Sequence, residues 1–244
     1  MGGIVWVRQV AFGSIAVAIF LLTSGARADD YNVNWSGVYA GAQLGGAWSD
    51  IRWQYANANF FNSTGGNVVG TRFDHDPQGL IGGFVGGYNF QTGPWLWGIE
   101  VAASAADMHQ DQVSPFFPAT DTYSSQLNWL TSIAGRVGYG WYRWMLYAKG
   151  GWAGGEVGET LADRSNGVYA SEDQWANGWT VGVGIDYRLC QNISFGVGYD
   201  YADLNVDNKT ISCPTCGAGT GLGTPSVDGD IKVQSVMARL TFNP

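Results

Sequence analysis

The sequence predicts an all-β fold, an eight-stranded antiparallel up-and-down transmembrane β-barrel. Three observations carry that expectation. Apolar residues recur at every second position through eight segments, a period-2 pattern that marks strands rather than helices. Glycine (37) and aromatic residues (12 Trp, 12 Tyr, 11 Phe) are abundant, while charged residues make up only 13%, low for a soluble domain. The links between segments alternate between very short and long, as in barrels that cross a membrane. Lipid supplies no hydrogen bonds, so a sheet that spans it has to close on itself.

The strands follow in order. Trp35–Trp48 is expected as the first, with Val38, Ala40, Ala42 and Leu44 on one face and Tyr39, Gly41, Gln43 and Gly45 on the other. Leu80–Phe90 sets Phe84, Tyr88 and Phe90 against Gly83, Gly87 and Asn89. Trp95–Ser104 sets Trp97, Ile99 and Val101 against Gly98 and Glu100. Tyr123–Tyr139 contains the fourth strand, with Leu127, Trp129, Ile133, Val137 and Tyr139 against Asn128, Ser132 and Arg136. Trp144–Gly154 sets Leu146, Ala148 and Trp152 against Tyr147 and Lys149. Gly178–Leu189 sets Trp179, Val181, Val183, Ile185 and Tyr187 against Thr180, Gly182, Gly184 and Asp186. Ile193–Ala202 sets Phe195, Val197, Tyr199 and Tyr201 against Ser194, Gly196, Gly198 and Asp200. Asp230–Phe242 closes the series, with Val236, Ala238, Leu240 and Phe242 against Ser235, Met237, Arg239 and Thr241.

A soluble β-sandwich or lipocalin-like barrel also has short strands and many turns, but it buries its large apolar residues. Here the second face carries Gly, Ser, Asn and charges, so the apolar face has to meet something else. Lipid is the simplest partner. The links 91–94, 140–143 and 190–192 are tight, whereas 49–79, 105–122, 155–177 and 203–229 read as long polar loops. Both termini and the tight turns then share the periplasmic side, and four loops emerge outside.

At the start of the chain, a weakly basic opening (Arg8) precedes an apolar run, Val10–Leu22, and the A-x-A pattern Ala26-Arg27-Ala28. Residues 1–28 are expected as a secretory signal peptide and 29–244 as the barrel domain. The run is shorter than the roughly 20 residues that a spanning helix requires. The formal charge is −8 and becomes about −10 without the two arginines of the leader, which leaves no basic patch for nucleic acid.

Three cysteines are present, Cys190, Cys213 and Cys216. Cys213-Pro-Thr-Cys216 lies among glycines in a loop rather than at a helix start, where a redox pair of this spacing belongs. A disulfide within the loop, or free thiols, are the open readings. A metal site would want a second pair of ligands, and none is expected. A phosphate-cradling loop, a dinucleotide fingerprint and a cofactor site are likewise absent from the expected architecture. His75 and His109 fall in long loops without a serine placed at a strand end, so no catalytic residue is expected.

The inward charges are more informative. Glu100, Arg136, Lys149, Asp186, Asp200 and Arg239 all fall on the lumen face of successive strands and at similar heights. Unpaired buried charges are costly and paired ones tolerable, and eight strands leave an interior just wide enough for side chains. The lumen is therefore either a self-satisfied ionic plug or a narrow ion-conducting path, with the inward glycines leaving room for water. Tyr55, Phe60, Phe61, Phe116, Phe117 and Trp175 are loop aromatics that either pack loop against loop or contact a flat ligand such as haemin.

Several segments resemble a known group. Trp35-Ser36-Gly37-Val38-Tyr39-Ala40-Gly41, Gly82-Gly83-Phe84-Val85-Gly86-Gly87-Tyr88-Asn89-Phe90, Trp97-Gly98-Ile99-Glu100, Gly135-Arg136-Val137-Gly138-Tyr139, Leu146-Tyr147-Ala148-Lys149-Gly150-Gly151 and Gly178-Trp179-Thr180-Val181-Gly182 are similar, in order, to the strands of the alphaproteobacterial porin-like outer-membrane immunogenic protein family. Each motif alone is weak, and their order makes the match specific. The resemblance implies an eight-stranded outer-membrane barrel, a surface-exposed antigen and no enzymatic activity. It does not imply an open pore for every member. Outer-membrane lipid and lipopolysaccharide are then the surroundings. Resemblance to outer-membrane barrels also implies that the terminal row with Leu240 and Phe242 is read by the assembly machinery. Asn243 and Pro244, beyond that row, are expected to have no structural duty.

Overall fold

The structure, a computed structural model, describes residues 33–57, 59, 70, 72–113, 119, 121–164, 167–215 and 224–244. The expected signal peptide lies outside them. The strands are β1 (Gly37–Asn57), β2 (Arg72–His75), β3 (Gln78–Thr92), β4 (Trp95–Val113), β5 (Asp121–Trp141), β6 (Trp144–Asp163), β7 (Val168–Arg188), β8 (Ile193–Thr210) and β9 (Ser226–Phe242). Eight of them form a ring of antiparallel neighbours, β1-β3-β4-β5-β6-β7-β8-β9, which β9 closes by pairing with β1. The closing ladder runs from Ala40↔Phe242 to Asn57↔Ser226. The four-residue β2 pairs with the far part of β1.

Within the lower half of the ring the expected faces hold. Val38, Leu44, Phe84, Trp97, Ile99, Val183 and Leu240 point outward and are exposed, while Gln43, Glu100, Arg136 and Arg239 are buried inside. Aromatic rings mark two levels on the outer wall. At the turn end, Trp95 meets Tyr139 edge-on at 5.3 Å and Trp144 lies 4.6 Å from Tyr187. At the other level Trp152 pairs with Trp179 across β6 and β7, and Trp179 lies 5.5 Å from Tyr201. From Trp144 to Trp152 the strand rises about 26 Å, or about 20 Å along the normal at a typical barrel tilt, which matches an apolar lipid-facing band.

The turn end is tight. Residues 93–94 and 142–143 form two-residue turns, and 189–192 link β7 to β8. Gly93 takes φ +59° and Tyr142 φ +51°. Two-residue hairpin turns require such values to match the twist of the strands they join.

The outer end differs from expectation. The segments read as long loops are largely strand: β1 runs on to Asn57, β4 to Val113, β6 to Asp163 and β8 to Thr210, while β7 begins at Val168. The cause is an inversion of polarity at constant period. Beyond the upper aromatic level, the outward positions of β1 become Asp50, Arg52 and Gln54, and its inward positions become Ile51, Trp53 and Tyr55, which are buried. A reading that requires apolar residues outside stops at the lipid boundary, although the backbone continues. Tyr55, expected as a loop aromatic, is therefore a core residue at 2% exposure. Leu127 is a second correction. It is buried inside rather than facing lipid, because the β5–β6 register shifts between Leu127 and Trp129. The extra residue of a β-bulge exchanges the two faces. Trp35, placed in the first strand, lies before it, since β1 begins at Gly37.

Above the lipid level the ring parts into two sheets. The β7–β8 ladder ends at Asn177↔Asn205 and the β3–β4 ladder at Gly79↔Met108. Beyond these points β4, β5, β6 and β7 continue together on one side, and β8, β9, β1 and β2 on the other. Met108, Tyr123, Leu127, Val157 and Leu161 from the first sheet share one apolar core with Ile51, Trp53, Val206, Val227 and Ile231 from the second. Ile211 and Cys213, after β8, join it, and Ser212 O accepts a hydrogen bond from the Ser171 N–H on the free edge of β7.

A closed ladder satisfies every backbone group within the hydrocarbon. Folded protein extracted from membranes is expected to resist detergent and to migrate differently on gels before and after boiling. Identical mobility in both conditions counts against the closed ring.

Candidate functional site

Inside the ring, the structure brings the six inward charges expected from the sequence into one layer. Glu100 of β4 is the hub and is 1% exposed. Its Oε1 accepts from Lys149 Nζ at 2.8 Å, and its Oε2 accepts from Arg239 Nη1 at 3.0 Å and from the Tyr39 hydroxyl at 2.8 Å. Arg136 Nη1 stands 3.6 Å from the same oxygen. Asp186 of β7 receives Arg136 Nη2 at 2.6 Å and a fork from Arg239, whose Nε donates to Oδ1 at 2.8 Å and whose Nη2 donates to Oδ2. Lys149 also reaches Asp200 Oδ1 at 3.0 Å. Tyr147 supplies an aromatic face to both guanidinium groups, with Arg136 at 3.7 Å and Arg239 at 4.4 Å from the ring centre. Three cations and three anions leave the layer without net charge. Pairing of this density is the condition under which buried charges are tolerated, and a fork-to-fork Arg–carboxylate contact is the strongest form of it.

Three of the inward glycines serve this layer. A Cβ at Gly182 would overlap the Asp200 carboxylate, one at Gly196 the Asp186 carboxylate, and one at Gly184 the Tyr147 hydroxyl. Each glycine therefore yields its volume to a charged or aromatic side chain from the strand beside it.

The layers above and below are also filled. On the outer side a cavity of about 30 Å³, lined in part by Gln43, Ser104, Ser132, Thr180 and Ser235, separates the charges from the apolar core of the two sheets. It has room for only one or two waters. On the turn side Trp35 packs against Leu96, Met145 and Tyr147 and is 2% exposed. The segment that carries it crosses the mouth of the ring at the turn end. The Val33 N–H donates to Tyr142 O at 3.2 Å, and the Trp35 N–H donates to Gln91 Oε1 at 2.7 Å. The Arg188 guanidinium lies 4.4 Å from the Trp35 ring centre and donates to Asn243 Oδ1 at 3.1 Å. Asn243 is buried and exchanges two further hydrogen bonds with Asn192. The expectation that Asn243 is idle is thereby corrected: it ties the chain end to the β7–β8 turn.

Sequence reasoning missed Tyr39, Trp35 and Arg188 as partners, although Arg188 continues the inward phase of Asp186. The other expected sites are dispersed. Leu240 and Phe242 are exposed on the outer wall, with Phe242 beside Ala40 and Ile193 at the closing seam. Cys213 is disulfide-bonded, Cys190 is free and exposed at the β7–β8 turn, and Cys216 lies outside the described residues. His109 is exposed with Nε2 3.2 Å from Asp111 Oδ1. The Ser124 hydroxyl donates to that carboxylate rather than to the imidazole, so no serine–histidine pair is formed there. Trp175 is exposed on β7 and bonded to Asn177, while Phe60, Phe61, Phe116 and Phe117 lie outside the described residues.

An eight-stranded ring with a lipid-facing apolar band, tight turns at one end and a side-chain-filled lumen defines a small outer-membrane β-barrel protein. The chain belongs to the outer membrane protein beta-barrel domain family, whose model matches residues 14–222. It is similar to the 31 kDa outer-membrane immunogenic protein of Brucella melitensis biotype 1, at 26% identity over 183 residues, covering 72% of this chain and 73% of the relative. It is also similar to the 25 kDa outer-membrane immunogenic protein of Brucella abortus biovar 1, at 25% identity over 182 residues, with 75% and 71% covered. The 22 kDa outer membrane protein of Rhizobium leguminosarum bv. viciae is 31% identical over 130 residues, with 53% and 55% covered. Among solved structures, the outer membrane protease OmpT from Escherichia coli superposes with a TM-score of 0.55 at 9% identity, covering 85% of this chain and 96% of that one. That likeness concerns the fold alone.

Glu100→Gln removes the hub charge while keeping its shape, and is expected to lower unfolding stability by about 3–5 kcal/mol, the range for breaking one member of a buried ion pair. Removing Glu100 and Arg136 together is expected to cost less than the sum of the single changes. Denaturant titration of the folded protein in lipid checks both, and strict additivity means that the charges are individually hydrated.

Proposed function

We propose that this outer-membrane protein is a non-enzymatic structural component and surface antigen of the membrane that holds it. Its lipid-facing band meets the acyl chains of outer-membrane lipid and lipopolysaccharide. The assembly machinery reads the terminal row that ends in Leu240 and Phe242. The observation that carries the reading is the filled lumen: Trp35 and its cluster, the neutral charge layer and the apolar core of the two sheets succeed one another along the axis. Such stacking favours the plug over the conducting path. The relatives' names as immunogenic outer-membrane proteins support the antigen role. The exposed polar edges of the two outer sheets are the part available for recognition outside the cell.

Purified protein in planar bilayers is expected to show no stepwise conductance. Discrete, reproducible openings in the unmodified chain overturn the plug and establish a narrow diffusion channel. Phe242→Ala is expected to lower the amount of assembled protein in membranes. Deleting Asn243 and Pro244 is expected to leave assembly competent but to lower the unfolding temperature, because Arg188 and Asn192 lose their partner. Loss of assembly on the deletion, with Phe242→Ala unaffected, contradicts the role given to that row.

A further inference from the structure

The apolar core between the two outer sheets contains a buried acid. Glu159 points inward from β6 beyond the upper aromatic level, and is 3% exposed. Its inward neighbours along the strand are Val157 and Leu161, both in the core. The Ser125 hydroxyl of β5 donates to Glu159 Oε2 at 3.1 Å, and the same hydroxyl accepts from Trp53 Nε1 at 3.2 Å. Trp53 belongs to β1, in the other sheet. The Trp53–Ser125–Glu159 chain therefore runs from one sheet to the other through the core and ends on a carboxyl group.

Among the described side chains around it, no cation faces Glu159. Glu172 of β7 is the direct cross-strand partner of Glu159. Asp163 lies further along β6, Tyr123 faces inward from β5, and Tyr55 from β1. Gln174 of β7 is buried with both amide atoms unpartnered. Beyond Lys149, the inward positions whose side chains are described contain neither Lys nor Arg, and Lys209 of β8, across from the inward Val227, is the one basic residue that the register sets on this face. An ionised carboxylate in apolar surroundings without a cation is strongly disfavoured.

We propose that Glu159 is a proton-operated latch: protonated, it lets the two outer sheets close over a neutral core, and ionised, it drives them apart while the ring below stays shut. Burial pushes the Glu159 carboxyl well above the ordinary carboxylate range, and the Ser125 hydrogen bond opposes this only in part. In the opened arrangement the group is hydrated and titrates near its ordinary value of 4.5. The closed arrangement thus has its full advantage below that value. The advantage is lost as pH rises toward the elevated one, by up to about tenfold in the open-to-closed ratio per pH unit. The seams that allow movement already exist, since the β7–β8 and β3–β4 ladders end at the base of the two sheets.

The test uses a buried thiol as reporter. Leu127, 1% exposed in the same core, is replaced by Cys in a Cys190→Ser background, and alkylation of the folded protein in lipid is followed from about pH 5 to pH 9. The rate is expressed as the ratio between the Glu159 chain and its Glu159→Gln counterpart at each pH, which cancels the thiol's own titration. Glutamine keeps an acceptor for Ser125 and cannot ionise. The ratio is expected to be near one at the acid end and to climb by up to about tenfold per unit through the alkaline range. Gel mobility of the unboiled protein is expected to stay that of the closed ring throughout. A ratio that stays flat, or a thiol that never reacts in either chain, overturns the latch. Loss of the unboiled mobility in step with the ratio also overturns it, because the whole ring and not the outer half is then opening.

Discussion

The ladder between β1 and β9 is the contact on which the rest of the structure depends. Lipid cannot satisfy a strand edge, so an open sheet of these strands has no stable state in the membrane. Closure at eight strands then fixes the width of the interior at about what side chains can fill. Every inward residue is chosen under that limit. Gly182, Gly184 and Gly196 lie where neighbouring carboxylates and a tyrosine need their volume, and Glu100, Asp186, Arg136 and Arg239 are close enough to neutralise one another. The charge layer is thus a consequence of closure rather than an addition to it.

One set of strands serves two solvents. Below the Trp152–Trp179 level the wall faces lipid, so apolar residues lie outside and polar ones inside. Above it the wall faces water, and the same two-residue period carries the opposite arrangement. The change requires no break in the backbone, as β1 passes from Leu44 outside to Trp53 inside within a single strand. On β5 the exchange is made by a bulge between Leu127 and Trp129. Once water surrounds the wall, an edge is tolerable. The ring can then part into two sheets that pack like a soluble sandwich.

The lumen is closed by chemically different means at successive heights, and each suits its neighbours. Trp35 and its strap use chain that has left the sheet and can cross the mouth at the turn end. The charge layer sits where lipid surrounds the wall, and only internal pairing compensates buried charge. The apolar core sits where water surrounds the wall and the hydrophobic effect favours burial. Arg188 links the first of these to the chain end, through the Trp35 ring on one side and Asn243 on the other.

Much of this was legible in the residues alone. Period-2 alternation located eight strands, their lipid faces and the tight turns, because a strand in a membrane wall has to show one apolar face whatever its partners. The same alternation put Glu100, Arg136, Lys149, Asp186, Asp200 and Arg239 on the inside, since face is a local property of a strand. Pairing is not local. That Glu100 takes three cations and Tyr39, that Arg239 forks onto Asp186, and that glycines make room for them depend on register across the ring. The length of the outer strands, the parting into two sheets and the burial of Glu159 were decided only by tertiary structure. Inward apolar residues become a core only when a second sheet covers them, and a sequence does not show what stands opposite.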